Sequence, residues 1–120
     1  MLQMLGSYAE ASARYDRALE IDYRYKDALY RKGLSLFALG DSSGALQLFE
    51  RVTALDPGYK LAYNAKGLAL QSIGRDDEAY EAYEEAEKID NQWSQPSINQ
   101  MHLLLDKGRP DEAMGIAVRI

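Results

Sequence analysis

The chain has 120 residues and a formal net charge of −5, and it is 47% hydrophobic and 28% charged. The length fits about one domain. The acidic balance argues against nucleic acid as the main partner, because binding to a phosphate backbone needs clustered lysine and arginine. The absence of cysteine excludes disulfides and thiolate metal sites. Since there is no apolar run of about 18 residues and no signal peptide, we expect a cytoplasmic protein without membrane contact.

Apolar side chains at helical spacing predict a series of helices along the chain. In chain order, they span residues 1–5, 8–21, 26–39, 42–55, 60–73, 76–89, 96–107 and 109–120. Gly40 ends one of these helices, as glycine does by taking the left-handed conformation, and Asp41 is a good N-cap for the next. Pro57 ends the helix that follows, because proline cannot continue a helix and disfavours helix at the residue before it.

The turn glycines recur at a period of 34 residues, and they are Gly6, Gly40, Gly74 and Gly108. An alanine follows five residues after each of them, and an aromatic residue follows nine residues after the first three. One period that runs from end to end indicates a repeat protein, in which each repeat is one supersecondary unit.

This frame of residues resembles the tetratricopeptide repeat. Its clearest copy consists of Gly33, Gly40, Ala45, Phe49, Val52 and Asp56-Pro57. The last copy has Met101 in place of the first glycine and Ala117 in place of the aromatic residue. The resemblance implies an all-α fold, a right-handed superhelical solenoid of antiparallel helix pairs in 34-residue repeats. It also implies a single domain, residues 1–120, with repeats at 1–25 (half), 26–59, 60–93 and 94–120 (incomplete).

Each predicted helix pair has an apolar stripe that the stacking of the next pair can cover. Gly33 costs helix propensity, so we expect it where another helix crosses closely. The second helix of a pair should bury Phe49 and Leu55, and in the following repeat Tyr83 and Ile89. The aromatic residues expected to wedge between one repeat and the next are Tyr25, Tyr59 and Trp93. For the tryptophan, a ligand contact is the alternative.

In the family that the chain resembles, the first helix of each pair lines a concave groove that holds an extended peptide or a partner helix. Carried over by register, the groove residues are Tyr30, Arg31, Leu34, Phe37, Asn64, Leu68, Gln71, Ile98, Asn99 and His102. The same register places Leu61 and Leu105 beside them. Exposed apolar patches mark interaction sites. Alternatively, these side chains pack against each other across a tight superhelix, or against a second copy of the chain.

One subfamily of these repeats holds the C-terminal carboxylate of heat-shock chaperones with lysine, arginine and asparagine side chains. The corresponding positions in this chain are Tyr30, Leu34, Ala65, Gln95 and Asn99. None of them is a cation, so we predict that the chain does not bind such chaperone tails.

Catalytic chemistry has little basis in the sequence. His102 is the single histidine, and no nucleophile or orienting acid can be placed beside it. The glutamates between residues 78 and 87 predict a solvated acidic face, because no calcium-loop pattern is present. The segment from Gly40 to Gly44 lacks the Gly-Lys-Ser/Thr ending of a phosphate-binding loop. We therefore predict no enzyme activity, no catalytic residue, no metal and no cofactor.

The last predicted helix is apolar through Ile116, Val118 and Ile120, so we expect exposed apolar edges and self-association through the terminal helices. Three functions remain open. The first is a protein-interaction scaffold whose groove binds a peptide or helix of a partner protein. The second is a structural element of a homo-oligomer or of a longer repeat array. The third, an enzyme or an RNA-reading helical repeat, would need a catalytic set or a basic groove.

Overall fold

The computed structural model describes residues 9–14 and 26–119. Residues 9–14 are helical, and six helices with complete bounds follow among the described residues. They are α1 (Lys26–Ala38), α2 (Ser42–Leu55), α3 (Lys60–Ser72), α4 (Asp76–Ile89), α5 (Gln95–Asp106) and α6 (Pro110–Arg119). No strand occurs in this part of the chain, which confirms the all-α prediction. The expectations for the segment 1–5 and for Gly6, Tyr25 and Ile120 lie outside the described residues.

The helices stack in chain order as pairs. Helix α1 packs on α2, α3 on α4, and α5 on α6, while α2 packs on α3 and α4 on α5 across the repeat junctions. We call α1, α3 and α5 the first helices, and α2, α4 and α6 the second helices. Helix α1 also contacts α3. These two first helices therefore approach one another along one side of the stack.

A glycine in the left-handed conformation follows two residues after the end of each first helix. The φ angles are +93° at Gly40, +84° at Gly74 and +73° at Gly108. In the first of these turns, the N–H of Asp41 donates to the carbonyl oxygen of Leu36 at 2.8 Å. This bond satisfies a carbonyl that the end of the helix would otherwise leave unpaired, and glycine takes the required φ without a steric penalty. The repeating turn is the reason that consecutive helices reverse direction at a fixed period.

A second pair of glycines lets the helices of one repeat cross closely. A Cβ atom added at Gly33 would lie 2.5 Å from Cε1 of Phe49, and one added at Gly67 would lie 2.5 Å from Cδ1 of Tyr83. Both rings are fully buried, with 1% and 0% of their surface exposed. The predicted close crossing at Gly33 is therefore confirmed, because the ring of the second helix occupies the space that a side chain on the first helix would need.

Three of the predicted burial states are wrong. Leu55 and Ile89 were expected inside but are 43% and 37% exposed. Each is the last residue of its helix, where the chain already turns away from the neighbouring helix. Ile116 was expected to be exposed but is 5% exposed and packs with Leu104 and Ala113. In contrast, Val118 is 85% exposed, as expected.

A lysine, an aspartate and an aromatic ring recur together at two repeat junctions. The Nζ atom of Lys26 lies 2.7 Å from Oδ2 of Asp56 and 5.7 Å from the centre of the Tyr59 ring. Lys60 pairs in the same way with Asp90 and lies 5.3 Å from the centre of the Trp93 ring. Tyr59 also packs against the buried residues of α1, α2 and α3, which confirms its predicted wedge. The alternative ligand contact of the tryptophan stays a prediction.

These ion pairs predict a loss of stability in acid. Hydrogen bonds from Lys26 and from the backbone N–H of Gly58 hold the pKa of Asp56 below its usual 3.8, and Lys60 and the N–H of Gln92 act likewise on the pKa of Asp90. Since the folded-state pKa lies below the unfolded one, the stabilisation is complete above about pH 4 and is lost as the pH falls through the folded-state value. We expect the urea midpoint to fall as the pH is lowered below about 4.

A variant with both aspartates replaced by asparagine tests this prediction. Asp56→Asn with Asp90→Asn should lower the urea midpoint at neutral pH and make it less dependent on acid than in the unsubstituted chain. Equal acid dependence in both proteins would show that these two carboxylates do not contribute to it.

Candidate interaction surface

The first helices place the ten predicted groove residues in three degrees of exposure. The exposed residues are Arg31, Leu34, Leu68 and His102. The half-buried residues are Tyr30, Phe37, Gln71 and Ile98. The buried residues are Asn64 and Asn99, each with 8% of its surface exposed. The predicted set is therefore divided between an accessible rim, in which leucines occur together with Arg31 and His102, and a packed floor.

The leucines of this surface form the rim. Leu34 on α1 and Leu68 on α3 stand at the same position of successive repeats, and they are 39% and 38% exposed. Leu61 and Leu105, which the register also places on this side, are 40% and 50% exposed. Because α1 contacts α3, these side chains belong to neighbouring helices of one surface. The rim thus offers a row of large apolar side chains that the fold itself does not cover.

Aromatic packing fills the floor beneath α1 and α3. The ring of Tyr30 lies 6.0 Å from that of Phe49 and 5.5 Å from that of Tyr59, measured between ring centres. Burial raises the pKa of Tyr30 above its usual range. Gln71 accepts a hydrogen bond from the hydroxyl of Tyr83 at 2.8 Å. These side chains are held in place by the core, so this part of the surface is formed before any partner arrives.

Amide side chains connect α3 to α5. Nε2 of Gln95 donates to Oδ1 of Asn99 at 2.9 Å, and Nδ2 of Asn99 donates to Oδ1 of Asn64 at 2.8 Å. The two asparagines were predicted as partner contacts, but in the structure they bond to each other across the repeat junction. No pattern in the sequence indicates this pairing, because an amide at the groove register is equally suited to a partner and to a neighbouring helix.

Few charges are free on this side of the stack. Lys26 and Lys60 are engaged in the junction ion pairs. The hydroxyl of Tyr59 donates to Oδ1 of Asp27 at 2.7 Å. Burial and the adjacent Asp27 carboxylate raise the pKa of Tyr59 well above its usual range. Arg31 is exposed one helical turn after that aspartate. It forms no ion pair with another described residue. The surface is therefore apolar with almost balanced charge.

The acidic side chains lie elsewhere, on α4 and around its junction with α5 and α6. They border a cleft of about 270 Å³ that is lined by Asp76, Asp77, Tyr80, Glu81, Glu84, Leu103, Leu104, Lys107, Arg109 and Glu112. Lys107 and Arg109 lie 2.8 Å and 2.6 Å from carboxylate oxygens of Asp77 and Glu112. Within the described residues, no group of acidic or histidine side chains could hold a metal ion.

Most of the predicted solvated acidic face is exposed. Its exposed members are Glu78, Glu81, Glu84 and Glu85. Glu87 differs, because it is half-buried and accepts hydrogen bonds from Oγ of Ser97 at 2.5 Å and from Nε2 of Gln100 at 3.3 Å. This glutamate therefore helps to join α4 to α5.

The sequence model of the tetratricopeptide repeat matches residues 4–60 and again residues 30–96. The chain therefore belongs to the tetratricopeptide repeat family, as its repeating residues predicted. A comparison with curated protein sequences gives no match. Within the part of the chain that the structure describes, none of the helices combines the length and apolar character that crossing a bilayer requires.

Solved structures of the same fold include two of MamA. The crystal structure of MamA superposes with a TM-score of 0.87 at 26% identity, covering 95% of this chain and 67% of that one. For MamA 41-end from Desulfovibrio magneticus RS-1, the TM-score is 0.89 at 25% identity, covering 98% and 67%. This chain thus spans about two thirds of both MamA chains. The helical solenoid predicted from the repeats is confirmed.

A third similar structure contains a ligand. The first tetratricopeptide domain of Spaghetti (RPAP3), bound to the HSP90 peptide SRMEEVD, superposes with a TM-score of 0.82. The two sequences are 19% identical, and the superposition covers 86% of this chain and 82% of that domain. At this identity the likeness establishes a shared fold.

Proposed function

We propose that the chain is a protein-interaction module whose first helices bind a peptide or helix of a partner protein. The observation that carries the proposal is the row of leucines on α1, α3 and α5, each roughly two fifths to one half exposed. Covering an apolar side chain removes its surface from water at about 25 cal/mol per Å². Membership of a family whose fold also holds a peptide in the Spaghetti (RPAP3) domain supports the same reading.

The floor of the surface supports this use. Tyr30, Gln71 and the amides of α3 and α5 are already fixed by packing and hydrogen bonds. A partner therefore does not have to order these side chains on binding, and a preformed surface loses less conformational entropy than a flexible one.

A selection from random dodecapeptides displayed on phage tests the proposal. A selected peptide, synthesised with a fluorescent label, should bind the unsubstituted chain, and Leu68→Ser should weaken its affinity about tenfold, since a buried leucine contributes about 1.5–3 kcal/mol. Fluorescence anisotropy measures both affinities.

Leu55→Ser is the matched control for this experiment. Leu55 has nearly the same exposure as Leu68, 43% against 38%, but it ends a second helix, whereas the proposed groove is formed by the first helices. Its substitution should leave the affinity unchanged. Failure to select any peptide, or equal effects of the two substitutions, would contradict a groove on the first helices.

Self-association is a second candidate, favoured by two exposed side chains of α6. Met114 is 68% exposed and Val118 is 85% exposed. Two repeats earlier, the position of Met114 holds Leu46, which is 5% exposed and belongs to one buried cluster with Ala65 and Ala69 of the following first helix. Sedimentation equilibrium of the unsubstituted chain and of Met114→Glu tests this candidate, because the substitution should lower the mass of any assembly that uses this face. An unchanged assembled mass would contradict it.

Several negative expectations belong to the same proposal and remain predictions. The module would act without catalysis, metal or cofactor, without nucleic acid, and in the cytoplasm.

A further inference from the structure

We infer that the groove of the first helices selects a partner segment that is apolar and free of acidic side chains, with neutral or basic flanks. This inference rests on the proposed function and specifies the chemistry of its partner. It is based on two observations. The charged and amide groups around the groove already form ion pairs and hydrogen bonds within the chain, and the leucines are exposed.

The lysines at the edge of the groove are not available to a carboxylate ligand. Lys26 and Lys60 each begin a first helix and each pair with the aspartate after the second helix of the same repeat. Each ammonium also lies over an aromatic ring, Tyr59 or Trp93. Directly before α5, the corresponding position is occupied by Ser94, so the sequence has no lysine at this position of the last repeat. An acidic peptide would have to break existing ion pairs to gain new ones.

The amide side chains at the groove likewise already form hydrogen bonds within the chain. Asn64 and Asn99 are buried and bond to each other, and Gln95 donates to the second of them. A peptide that used these groups would have to replace bonds of 2.8 Å and 2.9 Å that already exist. Replacing one amide hydrogen bond by another contributes little net free energy. Polar recognition by these residues is therefore weak compared with apolar burial.

Arg31 is the remaining exposed cation on the predicted groove residues, and Asp27 lies one helical turn before it on the same helix. Their opposite charges leave this end of the groove nearly neutral. The whole chain carries a formal net charge of −5, and the acidic side chains of α4 border a separate cleft. A field of this sign repels an acidic segment and favours a neutral or basic one. The exposed leucines then supply the attraction.

The test compares two labelled peptides on the intact chain by fluorescence anisotropy. One is SRMEEVD, the acidic peptide seen on the Spaghetti (RPAP3) domain. The other is a peptide selected from the dodecapeptide library, measured as selected and with two of its flanking residues changed to glutamate. The selected peptide should be apolar, its glutamate version should bind about tenfold more weakly at low salt, and SRMEEVD should bind more weakly than the selected peptide.

Leu34→Ser and Leu68→Ser should lower the affinity for the selected peptide, and Leu55→Ser should leave it unchanged. SRMEEVD binding as tightly as the selected peptide, or a gain in affinity on adding glutamate, would overturn the inference while the proposed function stands. Binding that Leu34→Ser and Leu68→Ser leave unchanged would overturn both.

Discussion

Replacing Gly67 by methionine is expected to lower the free energy of unfolding by about 3 kcal/mol, the upper end of what overpacking a core costs. The first atom of the new side chain would lie 2.5 Å from Cδ1 of the Tyr83 ring and closer still to Cε1. That ring is fully buried, and its hydroxyl donates to Gln71 on the same first helix as Gly67. It cannot move without disturbing the contact between α3 and α4. Urea unfolding followed by circular dichroism measures the change.

The last repeat of the chain suggests how to rescue this variant. There, Met101 occupies the glycine position and Ala117 occupies the ring position, so the large and small residues are exchanged between the two helices. Tyr83→Ala alone should cost about 3–5 kcal/mol, because it leaves a cavity. Combined with Gly67→Met, it should cost less than the sum of the two single substitutions. Strictly additive losses would show that the ring and the glycine do not share one space.

Gly115→Met is the control for the same substitution in a helix without a facing ring. Gly115 lies in α6, and an added Cβ atom there would meet nothing within 4 Å. Methionine should stabilise this position by about 0.5–1 kcal/mol, since glycine is a poor helix former. A loss of stability at Gly115 similar to that at Gly67 would mean that the clash is not the cause.

Ile116→Glu is expected to cost about 3–5 kcal/mol, because it places a charge without a partner among apolar side chains. Ile116 is 5% exposed and packs with Leu104 and Ala113, which join α6 to α5. The loss should therefore appear first as opening of this last helix pair. Hydrogen exchange of the α5 and α6 amides, together with the urea midpoint, measures it.

Val118→Glu provides the matched control two residues away. Val118 is 85% exposed and stands at the repeat position of Glu50 and Glu84, which are themselves exposed. The same substitution there should change stability by no more than about 0.5 kcal/mol. Comparable losses at both positions would contradict the packing of α6 on α5.

The period of the sequence predicts most of the fold, because turns and close crossings are local or nearly local requirements. The predicted bounds 42–55 and 76–89 coincide with those of α2 and α4. Gly40 and Gly33 could be interpreted correctly since each has one physical reason to be glycine. The repeat register would also have predicted that Ile116 is buried, because Ile116 aligns with Leu48 and Ala82, which are 7% and 5% exposed.

The candidate surface was harder to predict, because exposure and pairing depend on neighbours from other repeats. The register identified Leu34 and Leu68, whose side chains point away from the core in every copy. It could not show that Asn64 and Asn99 bond to each other, since that depends on how far apart α3 and α5 lie. Periodicity likewise cannot show where a helix passes beyond its neighbour, and Leu55 was misassigned for this reason.

The amide connection between α3 and α5 has no counterpart between α1 and α3. One repeat earlier, the positions of Asn64, Gln95 and Asn99 hold Tyr30, Leu61 and Ala65. Hydrogen bonds constrain both distance and direction, whereas apolar contacts are non-directional and allow side chains to slide. The two junctions therefore differ in where hydrogen bonds join the first helices. Tyr59 bonds to Asp27 at the beginning of α1, and Asn99 bonds to Asn64 within α3. If the solenoid changes its curvature around a ligand, α3 and α5 are expected to keep their spacing at the amides, while α1 pivots about the bond between Tyr59 and Asp27.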